Sequence, residues 1–152
     1  MTTTPSLYFL DDLQPGQRFV SGTHTVDKAQ ILTFAREYDP QPFHLDEQAA
    51  REHVFGGLAA SGWHTAALTM RLLVDGGAPI AGGILGVGGE LTWSRPLRPG
   101  DTIQVHSEIV DVTPSRSRPD RGVATVRSET RNQHGEVVQT FVAKLIVPRK
   151  GG

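Results

Sequence analysis

The sequence predicts one α+β domain in which an antiparallel sheet wraps a buried helix. Three observations carry this expectation. Helical periodicity is confined to the first half of the chain, and strand-like runs fill the second. One helical stretch, from Ser61-Gly62 to about Asp75, carries Ala66, Ala67, Leu68, Met70, Leu72, Leu73 and Val74 round almost its whole circumference. A helix apolar nearly all round is expected to be buried. The 152 residues can bury a sizeable core, and no linker or low-complexity tract divides them.

Residues 1–6 read as a disordered lead-in and 7–150 as the domain. Leu13-Gln14-Pro15-Gly16 forms a turn before an early strand over Gln17–Thr25, because Pro-Gly suits the central pair of a type II turn. The first helix runs from Asp27 to Tyr38, with Ile31, Phe34, Ala35 and Tyr38 at helical spacing and Asp27 as its cap. Pro40 and Pro42 forbid its continuation and bias Asp39 and Gln41 toward extended backbone. A short helix over Asp46–Glu52 breaks at Gly56-Gly57, and the Gly76-Gly77 pair ends the central helix.

After residue 80 come four runs rich in Val, Ile and Thr: Leu85–Trp93, Thr102–Val112, Val123–Asn132 and Val137–Val147. Leu97-Arg98-Pro99-Gly100 repeats the Pro-Gly turn before the second run. His134-Gly135 makes a hairpin between the last two.

Composition narrows the function. Fifteen Lys and Arg stand against sixteen Asp and Glu, a formal charge of -1. That balance gives no footprint for nucleic acid or an anionic membrane. The chain has no cysteine, which excludes disulfides, a thiolate nucleophile and cysteine zinc sites and fits a cytoplasmic protein. The first residues lack the basic and apolar regions of a signal peptide. No apolar run approaches the ~20 residues that span a bilayer. His24, His53, His106 and His134 show no metal-ligand spacing, and the glycines at 82, 83, 86, 88 and 89 lack the βαβ context of a dinucleotide site. Neither a metal nor a cofactor is expected.

Two places could carry chemistry. Asp39 and His44 bracket two prolines, so a carboxylate and an imidazole can be fixed without a regular element. Together they could bind one water, take a proton and return it elsewhere. Taken alone, the pair reads more simply as a turn and a satisfied histidine. The second place is the helix start at Ser61-Gly62. Its first N–H groups lack internal partners, and Gly62 has no side chain to keep a substrate oxygen away. Taken alone, this is a Ser61 cap and a glycine that permits close packing. His64 lies nearby and is expected to serve in packing or face solvent.

The segment Tyr38-Asp39-Pro40-Gln41-Pro42-Phe43-His44-Leu45-Asp46 resembles the hydratase motif of the MaoC-like dehydratases and (R)-specific enoyl-CoA hydratases. The resemblance continues through Phe55-Gly56-Gly57-Leu58-Ala59-Ala60-Ser61-Gly62-Trp63 and Pro96-Leu97-Arg98-Pro99-Gly100-Asp101, and covers most of the chain. It implies a hot-dog fold and the reversible addition of water to a trans-2-enoyl-CoA, giving an (R)-3-hydroxyacyl-CoA. Asp39 and His44 would activate water, and the Gly62 N–H would polarise the thioester carbonyl. Gln41 stands where many members have Asn. Met70 stands where some have a serine, so no polar role is carried to it.

Gln41, Ser61 and Trp63 are further candidates for substrate contact. The basic run Ser115–Arg121 offers Arg116 and Arg118 to the coenzyme phosphates, across a dimer, or is a solvated hairpin end. Phe55, Trp63, Leu72 and Ile84 are candidates to line the acyl pocket. Hot-dog domains pair, so a homodimer with its acyl-CoA site near the interface is expected. The competing readings are a hot-dog thioesterase and a non-catalytic acyl-CoA-binding subunit. A carrier-protein dehydratase is disfavoured because the central helix has no carboxylate before Asp75.

Overall fold

The computed structural model describes residues 6–151. Of the expected lead-in, residues 1–5 lie outside the described residues, and Ser6 is exposed. After a single 3-10 turn at Leu10–Asp12, the elements are β1 (Arg18–Thr25), α1 (Lys28–Tyr38), α2 (Pro42–Leu45), α3 (Glu47–Arg51), α4 (Gly62–Gly76), β2 (Leu85–Trp93), β3 (Thr102–Pro114), β4 (Arg121–Arg131) and β5 (Val137–Pro148). The five strands form one antiparallel sheet in the order β1-β3-β4-β5-β2. This is a hot-dog fold: β1 and β2 lie at opposite edges, and the helices between them in sequence cross the sheet face.

Local chemistry sets the helix ends. The Asp27 carboxylate accepts from Gln30 N–H at 2.8 Å, and the Gln30 side chain accepts from Asp27 N–H, which makes a capping box. Asp46 opens α3 by accepting from the N–H groups of Gln48 and Ala49. The Ser61 hydroxyl accepts from Trp63 N–H at 3.2 Å to open α4. Gln41 is extended as expected before Pro42, and Pro42 then opens a one-turn helix α2 that the sequence did not announce, at a position where its missing N–H costs nothing.

Inner faces of β3 and β4 alternate as expected: Ile103, Val105, Ser107 and Ile109 point inward, opposite Ala124, Val126, Ser128 and Thr130. Burial falls into two clusters. One joins Val26, Ile31, Leu58, Leu72, Leu97, Ile103 and Val138 near the start of α4. The other joins Leu10, Leu13, Ile80, Ile109, Val126, Leu145 and Val147 at the far end.

The central helix is not buried all round. His64, Thr65, Thr69 and Leu72 face inward, whereas Trp63, Met70 and Val74 are exposed. Strand β2 shares this character. It pairs only with β5, and Leu85, Val87 and Trp93 are exposed along it. The apolar surround of α4 therefore faces two ways: one stripe meets the sheet, and the other continues into an uncovered surface with β2. Among the described residues, no helix is long and apolar enough to cross a membrane.

Candidate active site

The site is assembled from the end of α1, the turn of α2 and the first turn of α4. Asp39 caps α1, its N–H still bonded to the Ala35 carbonyl at 2.9 Å. Gln41 N–H then closes a tight turn onto the Asp39 carbonyl at 2.8 Å. Pro42 starts α2, and its single turn swings His44 back toward Asp39. The Gln41 side chain donates to one Asp39 oxygen, Oδ1. The other, Oδ2, lies 3.3 Å from His44 Nε2.

The environment fixes protons as well as positions. His44 is 4% exposed, and its Nδ1 lies 2.8 Å from the Ala59 carbonyl. A carbonyl can only accept, so Nδ1 carries a hydrogen and donates it. A neutral ring then presents the lone pair of Nε2 to the Asp39 carboxylate. Two acceptors at that spacing are compatible when the ring is protonated, or when one water donates a hydrogen to each. Burial pushes the Asp39 carboxyl up. The Ser61 hydroxyl, the Gln41 amide and the His44 ring outweigh it and hold the pKa below the ordinary carboxylate value. Asp39 is therefore ionised at neutral pH.

Gly62 is the first residue of α4, and its N–H has no hydrogen-bond partner among the described residues. It lies in a cleft of about 230 Å³ shared with His44, Phe55, Thr65, Trp93 and Arg95. A Cβ on Gly62 would sit 2.5 Å from Cε2 of Trp93. The glycine thus lets an indole lie flat on the helix start while leaving the N–H free, so close packing and an open donor are both served by one missing side chain. Ser61 is fully buried, and its hydroxyl caps α4 on the side of the site where it helps lower the Asp39 pKa.

Other sequence candidates separate. Phe55 lines the cleft, but Trp63 and Ile84 line apolar cavities farther along α4. Leu72 is in the core. Arg116 and Arg118 sit on the β3–β4 loop. The site lies at the other end of β4, where Thr130 pairs with Gln139, about nine residues or roughly 30 Å along the strand. One chain does not bring these arginines to its own site. His64 is buried against Phe34, their rings stacked at 4.6 Å, and its Nδ1 is unpartnered. Burial, helped by nearby His24, lowers its pKa.

Residues given no site role from the sequence complete the site. Arg98 donates to the carbonyls of Gly57 (2.7 Å), Leu58 and Phe55, and clamps the approach to α4. Arg95 stands at the cleft, paired with Glu136 at 3.1 Å. Trp93 and Gln139 touch across 46 positions of sequence, a separation no local motif signals.

Fold and site together define a hot-dog domain with a carboxylate–imidazole pair set beside an open helix start. The MaoC-like domain model matches residues 12–132, and the chain belongs to the MaoC-like dehydratase family. It is 34% identical over 141 residues to the uncharacterized protein YdeM of Bacillus subtilis, covering 91% of this chain and 96% of that one. It is 30% identical over 151 residues to an (R)-specific enoyl-CoA hydratase of Rhodospirillum rubrum, covering 95% of both. The crystal structure of a MaoC-like dehydratase from Rhodospirillum rubrum is similar at 58% identity and a TM-score of 0.93, covering 95% of this chain and 99% of that one.

Proposed function

We propose that the protein is a hydro-lyase that reversibly adds water to a trans-2-enoyl-CoA, giving an (R)-3-hydroxyacyl-CoA. One observation carries the reading: an ionised Asp39 and a His44 of fixed tautomer face each other at 3.3 Å, in a site that also holds the free Gly62 N–H. Family membership and the similarity to a hydratase support it.

The chemistry follows from these groups. Water held between Asp39 and His44 attacks Cβ of the enoyl group. Its oxygen bonds Cβ as the pair takes one proton. The C=C electrons move toward the thioester carbonyl, whose oxygen gains charge and is held by the Gly62 N–H at the positive end of α4. The pair then gives a proton to Cα and returns to its starting state. Gln41 holds the carboxylate in place throughout.

Hydration is followed as loss of enoyl absorbance, with a thiol reagent in the same cuvette to detect thioester cleavage. Asp39→Asn and His44→Ala should each cut turnover by about 10²–10⁴-fold while leaving the fold intact by circular dichroism. Parent rates in both variants reject the reading, as does thiol release without hydration.

We also propose a homodimer that packs against the free edge of β2 and roofs the space between β2 and the exposed stripe of α4. An unpaired apolar edge strand beside Trp63 and Val74 is a surface that isolated proteins avoid. Arg116 and Arg118 enter the reading only through a partner subunit's loop. A monomer mass by light scattering at micromolar concentration rejects the dimer.

A further inference from the structure

The reaction cleft and the large apolar spaces of this molecule do not meet. Beyond Trp63, between α4 and strands β2 and β5, runs a groove of about 490 Å³ lined by Met70, Leu73, Leu91 and Phe141. It continues into a smaller apolar cavity, with Met70, Leu73, Gly86 and Phe141 lining both. The cleft of His44 and Gly62 shares no lining residue with either. Between them stand Trp93, on the cleft side, and Trp63, on the groove side, in edge-to-face contact at 5.3 Å.

The wall is anchored from below. Trp93 Nε1–H donates to Gln139 Oε1 at 3.0 Å. An indole nitrogen only donates, so the Gln139 amide can point only one way, and its NH₂ donates to Thr69 Oγ1 at 3.1 Å. Thr69 donates in turn to the Thr65 carbonyl at 2.8 Å and accepts from Thr130 at 2.6 Å. Gln139, Thr69 and Thr130 are all buried. Every member of this chain is satisfied in one direction, so the indole is held against Gly62 by a polar network rather than by packing alone.

Resting on the hydratase reading above, we propose that Trp93, anchored by Gln139, is a specificity-determining residue that confines the enzyme to short acyl thioesters by closing the cleft off from the apolar groove. A cleft of about 230 Å³ is below the roughly 300–1,000 Å³ of sites for larger ligands. A longer acyl tail gains nothing from the groove while the ring stands. Each methylene moved from water into an apolar groove is worth about fourfold in affinity.

The test measures kcat/KM for trans-2-enoyl-CoA substrates of four, six and eight carbons. The parent is expected to prefer the four-carbon substrate over the eight-carbon one by at least tenfold. Trp93→Ala should raise the ratio of eight-carbon to four-carbon kcat/KM by tenfold or more, whatever it does to the absolute rates. If that variant does not fold, Trp93→Leu is held to the same ratio. Gln139→Leu, which frees the ring without removing it, should move the ratio in the same direction by a smaller step. A parent that hydrates eight carbons as well as four, or a smaller rise in the ratio, overturns the wall and leaves the hydratase reading standing. No hydration at any length overturns the hydratase reading and the wall with it. A Trp93 that only supported the fold would change all three substrates alike.

Discussion

The two ends of α4 face different worlds. At its first turns, Ser61, Thr65 and Thr69 are buried polar groups, each with a partner, and the Gly62 N–H is left open. At its last turns, Met70 and Leu73 border an apolar cavity with Ile80, Ile84, Val126 and Leu145. Only Ser107 and Ser128 are polar there, and they bond each other at 3.0 Å. A helix has one positive end, and a developing oxyanion is stabilised only there. The other end can contribute core and binding surface but no charge stabilisation. On the proposed function, reactivity and stability are thus divided along a single element, and each end can be broken without the other.

Breaking the reactive end should have the larger effect on rate. Gly62→Ala keeps the N–H but drives a methyl into the Trp93 ring, so indole and helix start must move apart. A displacement of about 1 Å at a reacting centre can cost about 10²-fold. Turnover should fall by that order in an enoyl-CoA assay. A variant with parent turnover would show that the helix start is not part of the chemistry.

Damage at the apolar end should appear in stability instead. Leu145 is 7% exposed and packs in the distal cluster with Ile109 and Val147. Leu145→Ala should lower the unfolding free energy by about 2–5 kcal/mol in denaturant titrations. Turnover on a four-carbon substrate should stay within about twofold, because a relaxed cavity there does not reach His44. A large loss of turnover with little loss of stability would reverse the assignment of the two ends.

Much of this division was legible in the chain. The Asp27 box, the Ser61 cap and the alternation of Ile103, Val105, Ser107 and Ile109 are local, and local rules located them. The Asp39–His44 segment was legible because only five positions separate the two residues and prolines restrict what lies between. What was missed depends on contacts distant in sequence. Nothing local marks Gln139 as the anchor of Trp93, or Arg98 as the clamp on the 55–58 backbone. The apolar surround of α4 reads as burial within one chain, yet Trp63 and Val74 are exposed, because composition does not say which molecule covers a face. Arg116 and Arg118 look available to the site until β4 places them at its far end.

In the proposed reaction Asp39 and His44 act as one unit on one water. Its most direct test is a double-variant cycle on enoyl-CoA hydration with Asp39→Asn, His44→Ala and both together. Residues that act as a unit lose nearly everything when either is removed. The double variant should therefore be no slower than the worse single variant by more than about threefold, a limit set by the near-additivity expected of independent sites. Losses that multiply across the cycle would show two independent groups rather than one shared site.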